Sequence, residues 1–91
     1  MQFKRGQLVR VPCQIEPGPL DELLISVDTE TGPISGFVQT ELVERESETA
    51  GYILGRVVEV ERDKVKVRLQ GSFFTTTGVA SLAATNLHLN T

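Results

Sequence analysis

The chain has 91 residues and a mass of 10.0 kDa, a size that accommodates one hydrophobic core and predicts a single domain over residues 1–91. Its apolar content of 40% and charged content of 23% are close to the globular average and argue against intrinsic disorder. Nine basic and twelve acidic side chains give a net charge of −3 and a pI near 5.0, which argues against a dedicated polyanion-binding domain.

The charges are unevenly distributed along the chain. Residues 1–50 hold four basic and nine acidic side chains, whereas residues 51–91 hold five basic and three acidic ones. The chain contains one cysteine, Cys13, so no intrachain disulfide can form, and a small secreted domain often needs such bonds. Neither a secretion signal nor an apolar run of about 20 residues is found. We therefore expect a cytoplasmic protein without membrane contact.

Apolar residues alternate with polar ones in several short segments, which is typical of strands that bury one face. The first such segment, residues 7–15, predicts a strand in which Pro12 cannot donate a backbone hydrogen bond, so we expect an edge strand or a bulge there. Residues 22–29 and 34–38 predict the next two strands, and residues 39–42 a single helical turn. The fold is predicted to be all-β, a small barrel or sandwich of about six short strands.

Residues 52–61 and 64–69 predict a hairpin in which Arg62 and Asp63 form the connection. Two patterns indicate the same register, since apolar residues would face each other on the buried side and opposite charges on the exposed side. The predicted opposite pairs are Val58 with Val67, Val60 with Val65, Glu59 with Lys66 and Glu61 with Lys64.

The remaining segments are less regular. Residues 44–50 are polar and predict a loop, and residues 73–77 are rich in aromatic and β-branched side chains and favour a strand. Val79, Leu82 and Ala83 have a helix-like spacing, which predicts at most one short helical turn near residues 78–86. The order of similar segments leaves two interpretations open. In the first interpretation, residues 6–43 and 52–89 are two three-stranded half-repeats joined by the polar loop. In the second, they share only the glycine turns and valine alternation that any two β meanders have in common.

Residues 36–42, with the sequence Gly-Phe-Val-Gln-Thr-Glu-Leu, resemble a segment near the end of Src-homology-3-like small barrels, where a single helical turn follows Gly, an aromatic residue and Val. The resemblance covers residues 6–43. It implies a small barrel that binds peptides, cell-wall fragments or nucleic acid. Peptide-binding members of that family use an aromatic groove, whereas this chain has no Trp, one Tyr and four Phe, and we carry over no ligand residues.

Side chains that could perform chemistry are few. Cys13 shares its strand face with valines and predicts a buried thiol, and His88 has no carboxylate nearby in sequence, so we expect no enzyme. A structural zinc site needs four ligands that the chain cannot supply, and residues 28–32 lack the spacing of a calcium loop. No glycine-rich phosphate cradle is present. We therefore expect no metal site and no cofactor.

Two binding hypotheses follow from the exposed charges. The leading hypothesis is an interaction module that binds a protein partner or itself, through the loop that carries Glu16, Asp21 and Glu22 or through an unpaired strand edge near Pro12. The alternative is a nucleic-acid-binding barrel. It would use the basic hairpin side chains Arg56, Lys64, Lys66 and Arg68, and the rings of Phe73 and Phe74 could stack on nucleobases.

Overall fold

The computed structural model describes residues 3–73 and 78–89. Regular structure in these residues consists of short strands and two 3₁₀ turns, so the predicted all-β class is confirmed. Residues 74–77 of the predicted 73–77 strand lie outside the described part, and Phe74 with them. The strands are β1 (Leu8–Pro17), β2 (Glu22–Thr29), β3 (Gly32–Gln39), β4 (Val43–Arg45), β5 (Ala50–Glu61), β6 (Lys64–Leu69), β7 (Ser72–Phe73), β8 (Val79–Ala83) and β9 (His88–Leu89).

All strands join one antiparallel sheet in the order β7-β3-β2-β1-β5-β6-β8, with β4 added beside β5 and β9 beside β1. β7 follows β6 closely along the chain, yet it pairs with β3 at the other end of the sheet. The sheet must therefore curl so that its two ends approach each other. The result is a curled half-barrel.

Alternation along the strands decides which side chains fill the concave side. In β1, Val9, Val11, Cys13 and Ile15 are all buried, as their shared parity predicts. The described residues of the core contain no buried polar or charged side chain. The members of this apolar core are Phe3, Val9, Val11, Cys13, Ile15, Leu23, Ile25, Val27, Val38, Ile53, Val57, Val65, Val67, Leu69, Ala80, Leu82 and Leu87.

Pro12 does not mark an edge strand, contrary to the prediction. β1 lies in the middle of the sheet and pairs with β5 over Leu8–Gln14. On its other side β1 pairs first with β9, at Val9 and Arg10, and then with β2 from Gln14 onward. Pro12 falls in the interval between these two partners. The missing N–H is tolerated there because the ladder is interrupted on that side.

The β5–β6 hairpin has the predicted register near its connection and a different one farther away. Val60 lies opposite Val65, and Glu59 opposite Lys66, as predicted. The register then shifts between Val57 and Glu59, so that Val57, rather than Val58, lies opposite Val67. Such a β-bulge adds one residue to one strand and bends it. Val60 is 40% exposed, which corrects its predicted burial.

Two further segments differ from the prediction in detail. The predicted polar loop 44–50 is shorter in the structure and comprises residues 46–49, because Glu44 and Arg45 belong to β4 and Ala50 begins β5. In the segment 78–86 the helical turn is the 3₁₀ turn Ala84–Asn86, and β8 precedes it. Hydrogen bonding to β6 decides the conformation of β8, whose Ala80 and Leu82 point into the core with a period of two.

The topology groups β1, β2 and β3 on one side of the β1–β5 pair and β5, β6 and β8 on the other. That arrangement is what two three-stranded half-repeats would give. The duplication over 6–43 and 52–89 stays a prediction, as does the resemblance to Src-homology-3-like barrels. Gly36 and Phe37 lie near the end of β3, and the first 3₁₀ turn, Thr40–Leu42, follows it directly.

Candidate functional site

The connection between β1 and β2, residues 18–21, presents the most exposed apolar side chain among the described residues. We call it the β1–β2 tip. Leu20 is 100% exposed, and its backbone φ of 53° lies in the left-handed region. An L-residue with a Cβ avoids this region, and a leucine gains nothing from the local hydrogen bonds that Asn or Asp would make there. Leu20 is therefore both strained and fully solvated.

The rest of the tip is closed by the backbone. The N–H of Glu22 donates to the carbonyl oxygen of Pro19 at 3.1 Å. A Cβ at Gly18 would lie 2.7 Å from the carbonyl oxygen of Glu22, closer than real Cβ atoms approach. Only glycine fits this position without movement of the turn. The sequence thus builds a tight connection that holds Leu20 outward.

The predicted acidic residues surround this leucine in the chain. Glu16 lies near the end of β1, opposite Leu24, and Glu22 begins β2, opposite Gln39. Asp21 stands between Leu20 and β2. None of these three carboxylates has a hydrogen-bond or ion-pair partner among the described residues. The structure therefore brings the predicted acidic set together at one end of the sheet.

A second element reaches the same end. Thr40, the first residue of the 3₁₀ turn after β3, donates from its backbone N–H and from its hydroxyl to the carbonyl oxygen of Asp21, at 2.9 and 2.6 Å. The two residues that follow are exposed, Glu41 as a further carboxylate and Leu42 with 40% of its surface accessible. The tip and this turn together form an acidic surface that contains two exposed leucines.

The predicted basic set does not form a free cationic face. The Nζ of Lys66 lies 3.6 Å from a carboxylate oxygen of Glu59 and 3.8 Å from one of Glu61. The Nζ of Lys64 lies 3.1 Å from a carboxylate oxygen of Glu30, and this hydrogen bond raises the pKa of Lys64. Lys64 lies opposite Glu61 in the hairpin register, as predicted, but its ammonium forms its ion pair with Glu30 of the β2–β3 turn, whose N–H donates to the carbonyl oxygen of Ser81 in β8.

The two arginines of the basic set face each other across the hairpin. Arg56 lies opposite Arg68 in the β5–β6 register. The guanidinium of Arg56 donates to the carbonyl oxygen of Gly6 at 2.7 Å. Arg68 also has a contact within the protein. Phe73 is half-buried and packs against the core, so its ring is not presented to solvent as a stacking surface.

Cys13 and His88 lie on opposite faces of the sheet. Cys13 points into the core, and burial raises the pKa of its thiol to about 11. His88 is exposed and lies opposite Arg10, a residue whose parity in β1 directs it outward. A thiol that stays protonated and faces away from the imidazole is not an activated nucleophile. No cluster of metal-ligating side chains is found in the ranges 3–73 and 78–89.

Sequence reasoning missed an aromatic and charged cluster on the outer face of β1, β5, β4 and β9. The guanidinium carbon of Arg10 lies 4.2 Å from the ring centre of Tyr52, and its Nε donates to Glu44 at 2.8 Å. The ring of Tyr52 meets His88 edge-on at 5.6 Å. The outward parity of Arg10 was visible in the sequence, but Glu44 was assigned to a loop. The Arg10 guanidinium already has a carboxylate partner within the cluster, Glu44, so we interpret the cluster as structural.

Comparison with family models, with curated proteins and with solved structures gives no match for this chain. In the described residues, no helix is long and apolar enough to span a membrane.

Proposed function

We propose that this chain is a small, non-enzymatic β-barrel module that binds a protein through the β1–β2 tip. The observation that carries the proposal is the complete exposure of Leu20 at a φ of 53°. A left-handed conformation costs roughly 1–2 kcal/mol for an L-residue. The fully exposed Leu20 side chain makes no contact within the chain that would offset this cost. Binding of another molecule by Leu20 would account for the strained conformation.

The surroundings of Leu20 indicate the chemistry of the partner. Glu16, Asp21, Glu22 and Glu41 carry four carboxylates on the tip, the adjoining strand ends and the 3₁₀ turn that is hydrogen-bonded to it. A complementary surface would offer an apolar pocket for Leu20 and basic side chains at its rim, since opposite charges accelerate encounter and fix the orientation of binding. The partner contact is therefore expected to weaken with salt.

The non-enzymatic part of the proposal is supported by Cys13 and His88. The raised pKa of Cys13 and the outward position of His88 argue against these two residues acting as a nucleophile and its base. We also propose a cytoplasmic location, supported by a buried free thiol and a fold that needs no disulfide. The Src-homology-3-like kinship of the barrel belongs to the same proposal and is supported by the short 3₁₀ turn after Phe37 and Val38.

Nucleic-acid binding has less support. Lys64 and Lys66 contact carboxylates, Arg56 contacts a backbone carbonyl, and Arg68 has a contact of its own. Contacts with phosphate would have to replace these interactions, which would leave the carboxylates and the carbonyl without their present partners. Binding of single-stranded DNA that falls steeply with salt and is lost in Lys66→Glu would favour this alternative over the tip.

The proposal is tested by affinity capture from a lysate of the native host with three tagged proteins, each with and without nuclease. They are the wild type, Leu20→Asn and the matched control Leu8→Asn. Leu8 is 36% exposed and lies outside the tip, and asparagine tolerates the left-handed conformation of position 20. A protein that survives nuclease, is captured by wild type and Leu8→Asn, and is lost with Leu20→Asn supports the proposal. Capture that is equal with all three proteins, or that nuclease removes, overturns it.

A further inference from the structure

The end of the molecule opposite the β1–β2 tip carries an open groove, which we call the N-terminal groove. It is a shallow, open depression lined by Phe3, Lys4, Arg5, Val58, Glu59 and Val60. Phe3 is buried, Val58 is half-buried, and Val60 is 40% exposed. The lining therefore combines exposed apolar surface of Val58 and Val60 with the two exposed cations Lys4 and Arg5.

A β-bulge of β5 lies within this groove. The register shift between Val57 and Glu59 leaves Val58 without a partner residue in the β6 ladder. Val60 lies opposite the fully buried Val65, yet 40% of its own surface is exposed at the groove. Neither the ammonium of Lys4 nor the guanidinium of Arg5 has a carboxylate partner among the described residues. The carboxylate of Glu59, the one acid in the lining, is engaged by Lys66.

The tip and the groove lie at opposite ends of β1. Lys4 and Arg5 precede the strand, and the tip follows its last residue, Pro17. The ten residues of β1 span about 33 Å at the usual rise per residue, and the longest dimension of the molecule is 38 Å. β5 runs antiparallel to β1, so its second half returns to the groove end. One molecule cannot insert its own tip into its own groove.

We propose that the β1–β2 tip of one copy docks into the N-terminal groove of a second copy. Leu20 would lie on the exposed parts of Val58 and Val60, and the carboxylates beside it would face Lys4 and Arg5. The tip and the groove are complementary in two respects, because exposed apolar side chains meet each other and carboxylates meet cations without a carboxylate partner. The inference rests on the proposed function of the tip and names a second copy of this chain as its partner.

This contact joins different surfaces of the two copies, so it is a head-to-tail contact. Each added copy still presents a free tip at one end and a free groove at the other. Association therefore does not stop at a dimer. The contact would join a tip of four residues to a groove lined by six, and small interfaces give weak and transient association.

Sedimentation equilibrium of the full 91-residue chain tests the proposal, at protein concentrations up to about 1 mM because a weak contact is expected. For the wild type, the mean mass is expected to rise with concentration beyond twice 10.0 kDa. An increase in salt from about 0.05 M to about 0.5 M should reverse the rise. Leu20→Asn, Val60→Asp and the double variant Lys4→Glu, Arg5→Glu are each expected to stay monomeric.

A mixture of two monomeric variants gives the decisive result. Leu20→Asn keeps its groove and Val60→Asp keeps its tip, so an equimolar mixture should form a dimer and nothing larger. The double variant Lys4→Glu, Arg5→Glu is a second way to disrupt the groove. Lys4 and Arg5 lie outside the strands, so this variant does not alter β5 as Val60→Asp does.

Three results would overturn the inference: a monomeric wild type at every concentration, association that persists in Leu20→Asn, or a mixture that stays monomeric. A monomeric wild type leaves the proposed function intact if Leu20→Asn still loses a protein captured from lysate. Failure of the self-contact and failure of the tip are therefore distinguished.

Discussion

Thr40 holds the carbonyl oxygen of Asp21 with two donors at once, its backbone N–H at 2.9 Å and its hydroxyl at 2.6 Å. The pair connects the start of β2 to the 3₁₀ turn after β3, nineteen residues farther along the chain. The position of Leu20, directly before Asp21, is thus fixed by a contact from another part of the sheet. A rigid tip loses less conformational entropy on binding than a flexible one.

Replacement of Leu20 by glycine is expected to stabilise the fold. Glycine removes the left-handed strain at this position and adds flexibility to the unfolded chain, for a net gain of about 0.5–1 kcal/mol in the free energy of unfolding. Urea denaturation followed by circular dichroism measures this free energy of unfolding. Leu8→Gly, at a strand position with ordinary backbone angles, is the control and should lose stability. A loss of stability in Leu20→Gly would contradict the strain assigned to the tip.

Thr40→Val removes the hydroxyl donor and preserves the shape of the side chain. We expect a loss of about 1 kcal/mol, typical of one hydrogen bond, and faster amide exchange at Glu22, whose N–H closes the tip. Denaturation and hydrogen exchange followed by NMR report the two effects. Thr49→Val is the matched control, because Thr49 is equally exposed and its hydroxyl makes no hydrogen bond with a described residue. Unchanged exchange at Glu22 would show that Thr40 does not fix the tip.

The buried thiol of Cys13 predicts a loss of stability at alkaline pH. Burial raises its pKa from 9.0 to about 11, so the folded state keeps the proton over a range in which the unfolded state loses it. The contribution is complete below pH 9.0 and is lost as the pH rises toward about 11. The melting temperature of the wild type should therefore fall more between these values than that of Cys13→Ala. Parallel profiles for the two proteins would contradict this assignment.

Gly36 is expected to resist substitution although it lies within a strand. A Cβ there would lie 2.5 Å from both the Cα of Phe73 and the carbonyl oxygen of Ser72, so Gly36→Ala must push β7 away from β3. We expect a loss of about 2–3 kcal/mol, within the range of overpacked cores. Gln39→Ala, at the exposed end of the same strand, should change stability by less than about 0.5 kcal/mol. Equal stability of the two variants would mean that β7 does not pack on Gly36.

Local alternation was sufficient to predict much of the sheet. The shared parity from Val9 to Ile15 predicted the buried face of β1, and opposite charges in the β5–β6 hairpin predicted the pairing of Glu59 with Lys66. Both signals come from residues close in sequence or from strands joined by a short connection. The acidic loop at Glu16 to Glu22 was also visible as a candidate binding segment.

Other features depended on contacts that a single sequence does not reveal. Val79 and Leu82 have a helical spacing, whereas Ala80 and Leu82 have a strand spacing, and pairing with β6 decided in favour of the strand. Val57 and Val58 are adjacent, so the sequence does not show which of them lies opposite Val67, and the bulge between Val57 and Glu59 places Val57 there. The missing donor of Pro12 indicated an edge, whereas it marks an interval between β9 and β2 in a central strand. The left-handed conformation of Leu20 had no sequence signal, since leucine rarely adopts it.

The most direct test of the central claim is site-specific photocrosslinking from position 20. A diazirine-bearing residue replaces Leu20 in one protein and the exposed Gln70 in a control, and each is irradiated in a lysate of the native host with nuclease present. The account predicts a protein adduct of defined mass from position 20, either a second copy of this chain or another protein, and none from position 70. The same adducts from both positions, or none from position 20, would contradict the assignment of the β1–β2 tip as the binding site.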